Sequence, residues 1–287
     1  MTESALYLVG TPIGNLDDLS PRGAATLAGV DRVYAEDTRR TSRLFQQFGI
    51  QTPLRSLHQH NEASRSVEVI ELLSRGGSCA LVTDAGAPGV SDPGARLVHL
   101  VGEAGHRVLT VPGPSAVTAA AGLSGFPADA FLFLGFAPRK GKDRSEWLRL
   151  CATSSVAVIA FEAPGRVARL LHDWAAADLG DRECCVCREL TKLHEEVRRG
   201  TVRSLADYYE SREVRGEVTL VLAPPADDGD LERGPEPEAI AEQARSMCRE
   251  GMGAREISEA LQHRFGLRRN EAYSAALAAR EEEGRGR

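Results

Sequence analysis

The sequence predicts an α/β fold of two lobes, followed by a small helical domain. Apolar strand-like runs alternate with helical patterns over residues 1–126, which is typical of βα units and a parallel sheet. A second series of more closely spaced apolar runs occupies residues 127–224. A stretch rich in Pro, Gly and acidic residues then precedes a segment of short amphipathic patterns.

Four strand-like runs are predicted in the first lobe. Helical patterns such as "SRSVEVIELLSRGG" and "PGARLVHLVGEAGH" lie between them. Parallel strands need crossover connections of this kind, so the alternation predicts a largely parallel sheet. The four runs are residues 5–10, 31–37, 78–84 and 106–113.

The second lobe is predicted to be an α/β unit with a mixed sheet. Its strand-like runs lie closer together than those of the first lobe, and the pair around Arg198–Gly200 indicates a hairpin. The runs are residues 131–136, 155–163, 183–190, 195–202 and 216–223.

Residues 225–238 are predicted to be a linker, because "PADDGDLERGPEPE" combines Pro, Gly and acidic residues. Residues 239–287 then carry two or three short amphipathic patterns broken by glycines. The break at "HRFGLRRNEAYSAAL" resembles a helix-turn-helix, which is better suited here to positioning RNA than to reading DNA. A role in dimer packing is the alternative. The arginines expected to contact RNA are Arg264, Arg268 and Arg269.

Composition excludes several classes of protein. Hydrophobic residues make up 42% and charged residues 26% of the 287 residues, as in an ordinary globular protein. No apolar run approaches the roughly 18 residues of a membrane span, and "MTESALYLVG" lacks the features of a signal peptide. We therefore expect a cytoplasmic protein that does not enter a membrane. The net charge of −6 provides no overall basic field, although a local basic surface remains possible.

The six cysteines do not form the pattern of a disulfide framework or a zinc site. "ECCVCREL" concentrates three of them, but a second cysteine pair at zinc-binding spacing is absent. We expect structural thiols in a buried strand and no metal.

Three loops of small residues follow predicted strands of the first lobe. "GTPIG" has neither the dinucleotide-binding glycine pattern nor the Gly-Lys-Ser/Thr of a P-loop. "DAGAPGVSDPG" lacks lysine and carries two aspartates, and "VPGPSAV" is a rigid turn before an Ala-rich helix. Ligands of open α/β sheets bind at the carboxyl ends of the strands. These loops therefore suit a ligand that is not anionic and that approaches the backbone closely.

A set of motifs in fixed order resembles the tetrapyrrole-methylase superfamily. The motifs are "LYLVGTPIGNLDDLSPRG", "AEDTRRTSRLF", "VTDAGAPGVSDPG", "VPGPSAV", "FLGFAPRKGKDR", "FEAPGRV", "CRELTKLHEEVRRGTV" and "GEVTLVL". Within the superfamily they are similar to the branch that 2′-O-methylates cytidine in small-subunit ribosomal RNA. The resemblance implies a homodimer with S-adenosylmethionine in a cleft between the lobes. It also implies a substrate in the decoding region of that RNA, free or in the 30S subunit.

The resemblance also implies the residues that bind the cofactor. They come from the three small-residue loops of the first lobe and from the facing strand ends and loops of the second lobe. For Asp92, Ser115 and Glu162, helix capping or turn formation is the alternative role. The implied residues are Thr11, Pro12, Asp84, Ala85, Gly86, Ser91, Asp92, Ser115, Ala116, Phe161, Glu162, Leu190, Glu217 and Val218.

Methyl transfer to a ribose hydroxyl needs alignment and a group that accepts or screens the proton. Asp37 is the first candidate for the proton acceptor, with Glu36 as the alternative, and Arg39 could hold a phosphate or polarise the hydroxyl. His60 and Lys192 complete the predicted catalytic set. The alternative for the charged residues near Asp37 is a capping and dipole role at a helix start.

The segment "APRKGKDR" is the predicted RNA contact in the second lobe. Its four basic residues lie within six positions around a glycine, which suits a loop that grips phosphates. A solvated turn is the alternative. The residues are Arg139, Lys140, Lys142 and Arg144.

Two other functions remain open from the sequence. A small-molecule methylase acting on a tetrapyrrole precursor would share the fold, but the basic segment argues against a wide apolar cleft. A non-catalytic RNA-binding assembly factor would not need the complete set of cofactor loops.

Overall fold

The computed structural model describes residues 3–225, 237–249, 252–265 and 269–285. The chain separates into two compact units, Met1–Pro225 and Ala226–Arg287, which are considered one at a time. None of the helices in the described ranges is long and apolar enough to cross a membrane.

The first sheet of the larger unit has five strands in the order β3-β2-β4-β1-β5, and all its neighbours pair in parallel. This confirms the predicted parallel sheet. The short strand β3 was not expected, because its three residues "LRS" form no apolar run. The strands are β1 (Leu6–Val9), β2 (Arg32–Ala35), β3 (Leu54–Ser56), β4 (Cys79–Val82) and β5 (Val108–Val111).

Helices cover both faces of this sheet, which explains why its strands are apolar on both sides. Tyr7 and Val9 pack on one face with Leu27, whereas Leu6 and Leu81 pack on the other. The first two helices cover the face of Val9, and the next two cover that of Leu81. The helices of this lobe are α1 (Pro21–Gly29), α2 (Thr38–Phe48), α3 (Glu62–Ser74), α4 (Ala95–Glu103) and α5 (Ala116–Ser124).

The second sheet is mixed, as predicted, with the order β6-β7-β10-β8-β9. Only β6 and β7 pair in parallel, and β8 and β9 form a hairpin in which Arg188 faces Glu196. Arg198–Gly200 lie within the second strand of this hairpin. The strands are β6 (Phe131–Phe136), β7 (Ala157–Glu162), β8 (Glu183–Arg188), β9 (Glu196–Thr201) and β10 (Val218–Leu222).

One face of the second sheet is covered by its own helices, and the other by α5 of the first lobe. Trp147 and Trp174 stack at 6.0 Å between ring centroids within the first of these layers. On the opposite face the small residues Ala120 and Ala121 of α5 pack against Ile159. The two lobes therefore share a packed core. The helices of this lobe are α6 (Gly141–Thr153), α7 (Val167–Trp174) and α8 (Val202–Glu210).

The cysteines of the larger unit are buried free thiols. Cys184, Cys185 and Cys187 lie on β8, and Cys79 and Cys151 lie in the cores of the two lobes. Burial raises the pKa of Cys79 and of Cys151 to about 12, so both are protonated and inert at neutral pH.

The smaller unit is a three-helix cluster among its described residues. Its core is made of small and aliphatic side chains, including Ala244, Ile257, Leu261 and Ala276. The predicted linker lies largely outside the described residues. The helices are α9 (Pro237–Arg249), α10 (Ala254–Phe265) and α11 (Arg269–Arg285).

Candidate active site

The loops that follow β1, β4 and β5 start side by side, because these strands are neighbours in the sheet. Thr11 and Gly86 tie two of the loops through a reciprocal pair of backbone hydrogen bonds. The Thr11 N–H donates to the Gly86 carbonyl at 2.9 Å, and the Gly86 N–H donates to the Thr11 carbonyl at 3.0 Å. The buried Thr11 hydroxyl also donates to the Thr83 carbonyl at 3.1 Å.

The loops after β1 and β5 touch through two glycines. A Cβ atom placed on Gly10 would lie 2.6 Å from the backbone nitrogen of Gly113, and one placed on Gly113 would lie 2.7 Å from the Gly10 carbonyl oxygen. Only glycine allows this backbone approach. The three loops therefore form one connected surface at the carboxyl edge of the sheet.

The loop after β4 does not present a helix N-terminus to an anion. Glu62 of α3 accepts the backbone N–H groups of Gly94 and Leu97 at 3.1 Å each, at the start of α4. These are the donors that a bound phosphate would use. Within the same loop Ser91 has a φ of 63°, an uncommon conformation for a residue other than glycine. The Gly94 and Leu97 N–H groups are therefore already occupied by a carboxylate of the chain itself.

A first cavity of about 280 Å³ opens between the lobes at this surface. Its walls include most of the residues predicted to bind the cofactor, drawn from the loops after β4 and β5 and from the second sheet. They are Asp84, Ala85, Gly86, Ser91, Asp92, Ser115, Ala116, Phe161, Glu162, Glu217 and Val218.

Three of the predicted cofactor residues lie elsewhere. Thr11 and Pro12 line a neighbouring cavity, and Leu190 is buried in the packed cluster beside Ile13. The first cavity also contains Arg40, a charged residue near the predicted catalytic Asp37, and Phe136, which the sequence did not indicate. No local signal distinguishes Phe136 from the other aromatic residues of "FLFLGF".

Aromatic rings form the apolar wall of the first cavity. The ring of Phe161 lies 5.4 Å from that of Phe136 and 5.0 Å from that of Phe133, between centroids. Phe136 is 58% exposed even though it is a large apolar side chain. An exposed ring at a cavity wall provides a flat surface for a ligand ring.

Glu162 contributes a buried acceptor oxygen to the same cavity. Its side chain is fully buried, and its Oε1 atom accepts the Ala163 N–H at 2.7 Å and pairs with Arg166. Its Oε2 atom has no hydrogen-bond partner among the described residues. A buried carboxylate oxygen left in this state is costly, so the site suits a ligand that donates a hydrogen bond.

Carboxylates gather behind the loop after β4. Burial and the nearby charges of Asp92 and Asp84 raise the pKa of Glu36. Burial and the charge of Asp84 also raise the pKa of Asp92. Asp84 itself accepts the Asp37 N–H at 2.9 Å, and its second oxygen lies 3.5 Å from the guanidinium of Arg40.

A second cavity, of about 490 Å³, adjoins the first. The two share walls formed by Ile13, Arg40, Asp84, Ala85 and Glu217. The second cavity has a more polar lining, which its own residues Thr11, Thr83, Arg43 and Lys192 provide.

Of the four predicted catalytic residues, Lys192 alone lines either cavity. Its Nζ atom lies 2.7 Å from Glu189 and 2.9 Å from Glu217. Burial favours loss of its proton, but these two hydrogen bonds outweigh burial and raise the pKa of Lys192. Lys192 is therefore a fixed positive charge and not a base.

Asp37, Arg39 and His60 lie outside both cavities. Asp37 caps α2 and forms two hydrogen bonds with the Arg39 side chain, which lower the pKa of Asp37. A carboxylate stabilised in this way is a poor proton acceptor. The capping role is the one that the structure supports for Asp37. His60 is exposed in the turn before α3.

The four basic residues of the segment 139–144 differ in their exposure to solvent. Arg139, Lys140 and Lys142 are exposed, at and before the start of α6. Arg144 is instead buried, and its guanidinium donates to Asp173 and to the Pro138 carbonyl. The prediction that Arg144 contacts RNA is therefore wrong, because its donors are already occupied inside the lobe.

The predicted RNA contacts of the smaller unit are not described. Arg268 and the side chains of Arg264 and Arg269 lie outside the described residues.

Comparisons with known proteins identify the family. The model of the Tetrapyrrole (Corrin/Porphyrin) Methylases matches residues 5–206. A protein of Synechocystis called ribosomal RNA small subunit methyltransferase I is 39% identical over 95% of this chain and 97% of its own length. A Mycobacterium bovis protein with the same name is 40% identical over 99% of this chain and 98% of its own. This chain belongs to the ribosomal RNA small subunit methyltransferase I family.

A shorter relative belongs to the same family. The Thermotoga maritima ribosomal RNA small subunit methyltransferase I is 44% identical over 218 residues, which are 76% of this chain and 97% of that protein.

Solved structures share the fold at low sequence identity. Diphthine synthase superposes with a TM-score of 0.61 at 17% identity, covering 76% of this chain and 89% of its own. The uroporphyrin-III-C-methyltransferase of Thermus thermophilus gives 0.56 at 17%, covering 77% and 94%. These confirm the predicted two-lobed tetrapyrrole-methylase fold.

Members of this family are methyltransferases, and S-adenosylmethionine is the methyl donor. The first cavity fits this molecule in its chemistry. The loop after β4 offers no phosphate site, and the unpaired Glu162 Oε2 atom would accept a hydrogen bond from an amino or hydroxyl group of the adenosine. The rings of Phe136 and Phe161 supply the apolar wall that a purine needs.

Proposed function

We propose that this chain methylates the ribose 2′-hydroxyl of a cytidine in the decoding region of small-subunit ribosomal RNA. The supporting observation is the pair of adjoining cavities. One fits a phosphate-free methyl donor, and the other is polar and carries cationic side chains suited to a nucleotide. The relatives named as methyltransferases of small-subunit ribosomal RNA match nearly the whole chain, which favours RNA over a tetrapyrrole as substrate.

Bound S-adenosylmethionine supplies an electrophilic methyl group on a sulfonium ion. The chain must hold the hydroxyl oxygen in line with that group and receive its proton, because a ribose hydroxyl is a weak nucleophile. Asp84 lies on the wall that both cavities share. Its Oδ2 atom, which pairs only loosely with Arg40 at 3.5 Å, is placed to accept the proton.

Glu36 and Asp92 lie near Asp84, behind the loop. Burial and the nearby carboxylates raise the pKa of both side chains, so each is less readily ionised than an exposed carboxyl group. Asp84 accepts the Asp37 N–H at 2.9 Å and lies 3.5 Å from the guanidinium of Arg40, so its carboxyl group is held in place on the shared wall. Lys192, fixed between Glu189 and Glu217, adds a positive charge to the lining of the second cavity.

Contacts outside the cavities would hold the larger RNA substrate. The exposed Arg139, Lys140 and Lys142 suit phosphate groups beside the cleft. The smaller unit, residues 226–287, is proposed to add affinity for the 30S subunit, because a 218-residue match covers nearly all of the Thermotoga maritima relative. A homodimer acting in the cytoplasm completes the proposal.

Methyl transfer measured with two substrates tests this function. Purified protein and labelled S-adenosylmethionine are incubated with 30S particles from cells lacking the gene, and separately with a tetrapyrrole precursor. The proposal expects label in ribose-methylated cytidine of the 30S RNA and none in the tetrapyrrole. Asp84→Asn should lose transfer by about 100-fold or more, as expected when a general base is removed. Label only in the tetrapyrrole, or in a base rather than a ribose, would contradict the proposal.

A further inference from the structure

Helix α2 forms one wall of the second cavity. Arg40, Thr41, Arg43 and Leu44 all line it, so the first turns of this helix face the space beside the methyl-donor site. Thr41 and Leu44 are buried, whereas Arg40 and Arg43 are exposed and lie at the open side. The start of α2 is fixed by Asp37, whose side chain accepts the Arg39 N–H at 2.9 Å.

The cations of this cavity differ in their partners. Arg40 pairs with Asp84, and Lys192 lies between two glutamates. Arg43 has no carboxylate within ion-pair distance among the residues that the structure describes, so its charge is not compensated locally. Its guanidinium is therefore free to bind an anion that enters the cavity.

The ligand of the second cavity is defined by this chemistry. The cavity volume of about 490 Å³ is within the range of small-molecule sites and accommodates one nucleotide. A nucleotide within an RNA strand has a phosphodiester on each side of its ribose. A guanidinium binds such a group through two parallel hydrogen bonds, and it needs no pH-dependent charge.

We propose that the second cavity is the acceptor-nucleotide site and that Arg43 holds the backbone phosphate next to the acceptor ribose. This inference rests on the proposed function, because it takes RNA to be the substrate. A phosphate held by Arg43 at the open side would direct the ribose toward the wall shared with the first cavity. The hydroxyl then faces Asp84, which lies on that wall.

The test compares Arg43→Gln, Arg43→Lys and Arg75→Gln. Arg75 is a matched control, because it is 80% exposed but lies at the end of α3, just before β4. This places it at the opposite edge of the sheet from both cavities. Unchanged melting temperatures would show that each variant keeps the fold.

Three measurements are made on each variant. Calorimetry gives the affinity for S-adenosylmethionine, filter binding to unmodified 30S particles at several salt concentrations gives the salt slope, and initial rates give kcat and KM for the particles. Arg43→Gln should leave the cofactor affinity unchanged and weaken productive binding, seen in kcat/KM, by about tenfold or more. The salt slope is the change in the logarithm of the binding constant with the logarithm of the salt concentration. For Arg43→Gln it should be shallower by about 0.7, the value for one phosphate contact on a single strand.

The other variants separate charge from geometry. Arg43→Lys keeps the positive charge, so its salt slope should match that of the unchanged protein, while its kcat/KM falls to an intermediate value. Arg75→Gln should match the unchanged protein in all three measurements. An Arg43→Gln variant with the original salt slope and kcat/KM would overturn the inference. If the unchanged protein itself neither binds nor methylates 30S particles, the proposed function fails instead.

Discussion

Replacing Gly10 with Ala tests whether the loops after β1 and β5 must touch for the methyl donor to bind. The added Cβ atom would lie 2.6 Å from the backbone nitrogen and 2.7 Å from the Cα atom of Gly113. Both neighbours are backbone atoms, so one loop must move. Overpacking of this kind costs about 1–3 kcal/mol. The lower entropy of the unfolded chain returns about 0.4–1 kcal/mol, which leaves a net destabilisation of about 1–2 kcal/mol.

Two measurements follow from this magnitude. In a folding unit of this size the melting temperature should fall by about 2–8 °C. Affinity for S-adenosylmethionine should fall by about tenfold or more, because a loop displacement that costs about 1.4 kcal/mol in the bound state changes the dissociation constant by that factor. Calorimetry measures the affinity, and differential scanning gives the melting temperature.

Gly122→Ala is the matched control for this experiment. Gly122 lies in α5, and a Cβ atom placed there would meet no atom within 4 Å. The substitution should stabilise the protein by about 0.5–1 kcal/mol and leave cofactor affinity unchanged. A Gly10→Ala variant that melts and binds the cofactor as the unchanged protein does would refute the reasoning about the loop contact.

Four further predictions concern other parts of the chain. Arg144→Ala should lower stability by about 1–3 kcal/mol in denaturant titration, because it removes a buried side chain that donates to Asp173 and to the Pro138 carbonyl and leaves Asp173 with Arg169 alone, at 4.0 Å. An effect below about 0.5 kcal/mol would contradict this role of Arg144. Glu162→Ala should weaken S-adenosylmethionine binding by about tenfold in calorimetry, through loss of a charged acceptor, and unaltered binding would remove Glu162 from the site. Burial and two nearby aspartates raise the pKa of Glu36 in the folded protein above its ordinary value of 4.5, so the native state binds more protons than the unfolded chain. Stability should therefore fall as the pH rises from 4.5 through the raised pKa. Glu36→Gln should flatten this fall in melting curves, and an identical pH profile in the variant would contradict the role of Glu36. A chain ending at Pro225 should remain folded and bind the cofactor normally, but methylate 30S particles with a raised KM; lost cofactor binding would place the smaller unit in the cleft or in a dimer core.

The strands that sequence reasoning predicted share one physical property. β1, β2, β4 and β5 are covered by helices or packed side chains on both faces, so they form continuous apolar runs. The edge strand β3 has only three residues of mixed polarity and gives no such pattern. Its existence depends on pairing with β2, which is a tertiary interaction.

The three small-residue loops could be located because each follows an apolar strand, but only the resemblance to a known family implied which ligand they bind. The cationic residues were harder to assign, since a basic residue looks the same in sequence whether it faces solvent, a ligand or a carboxylate. Arg144 pairs with Asp173, which is 29 residues away. Arg43 lines a cavity and Arg39 does not, because the cap at Asp37 sets the orientation of the helix that carries both.

Mapping of ribose methylation on small-subunit RNA tests the central claim most directly. RNA is isolated from cells lacking the gene and from the same cells supplied with the unchanged protein or with Asp84→Ala, and each ribose-methylated position is located by mass spectrometry of nuclease fragments. The account predicts one 2′-O-methylcytidine in the decoding region that disappears with the gene, returns with the unchanged protein and does not return with Asp84→Ala. An unchanged methylation pattern in the cells that lack the gene would contradict it.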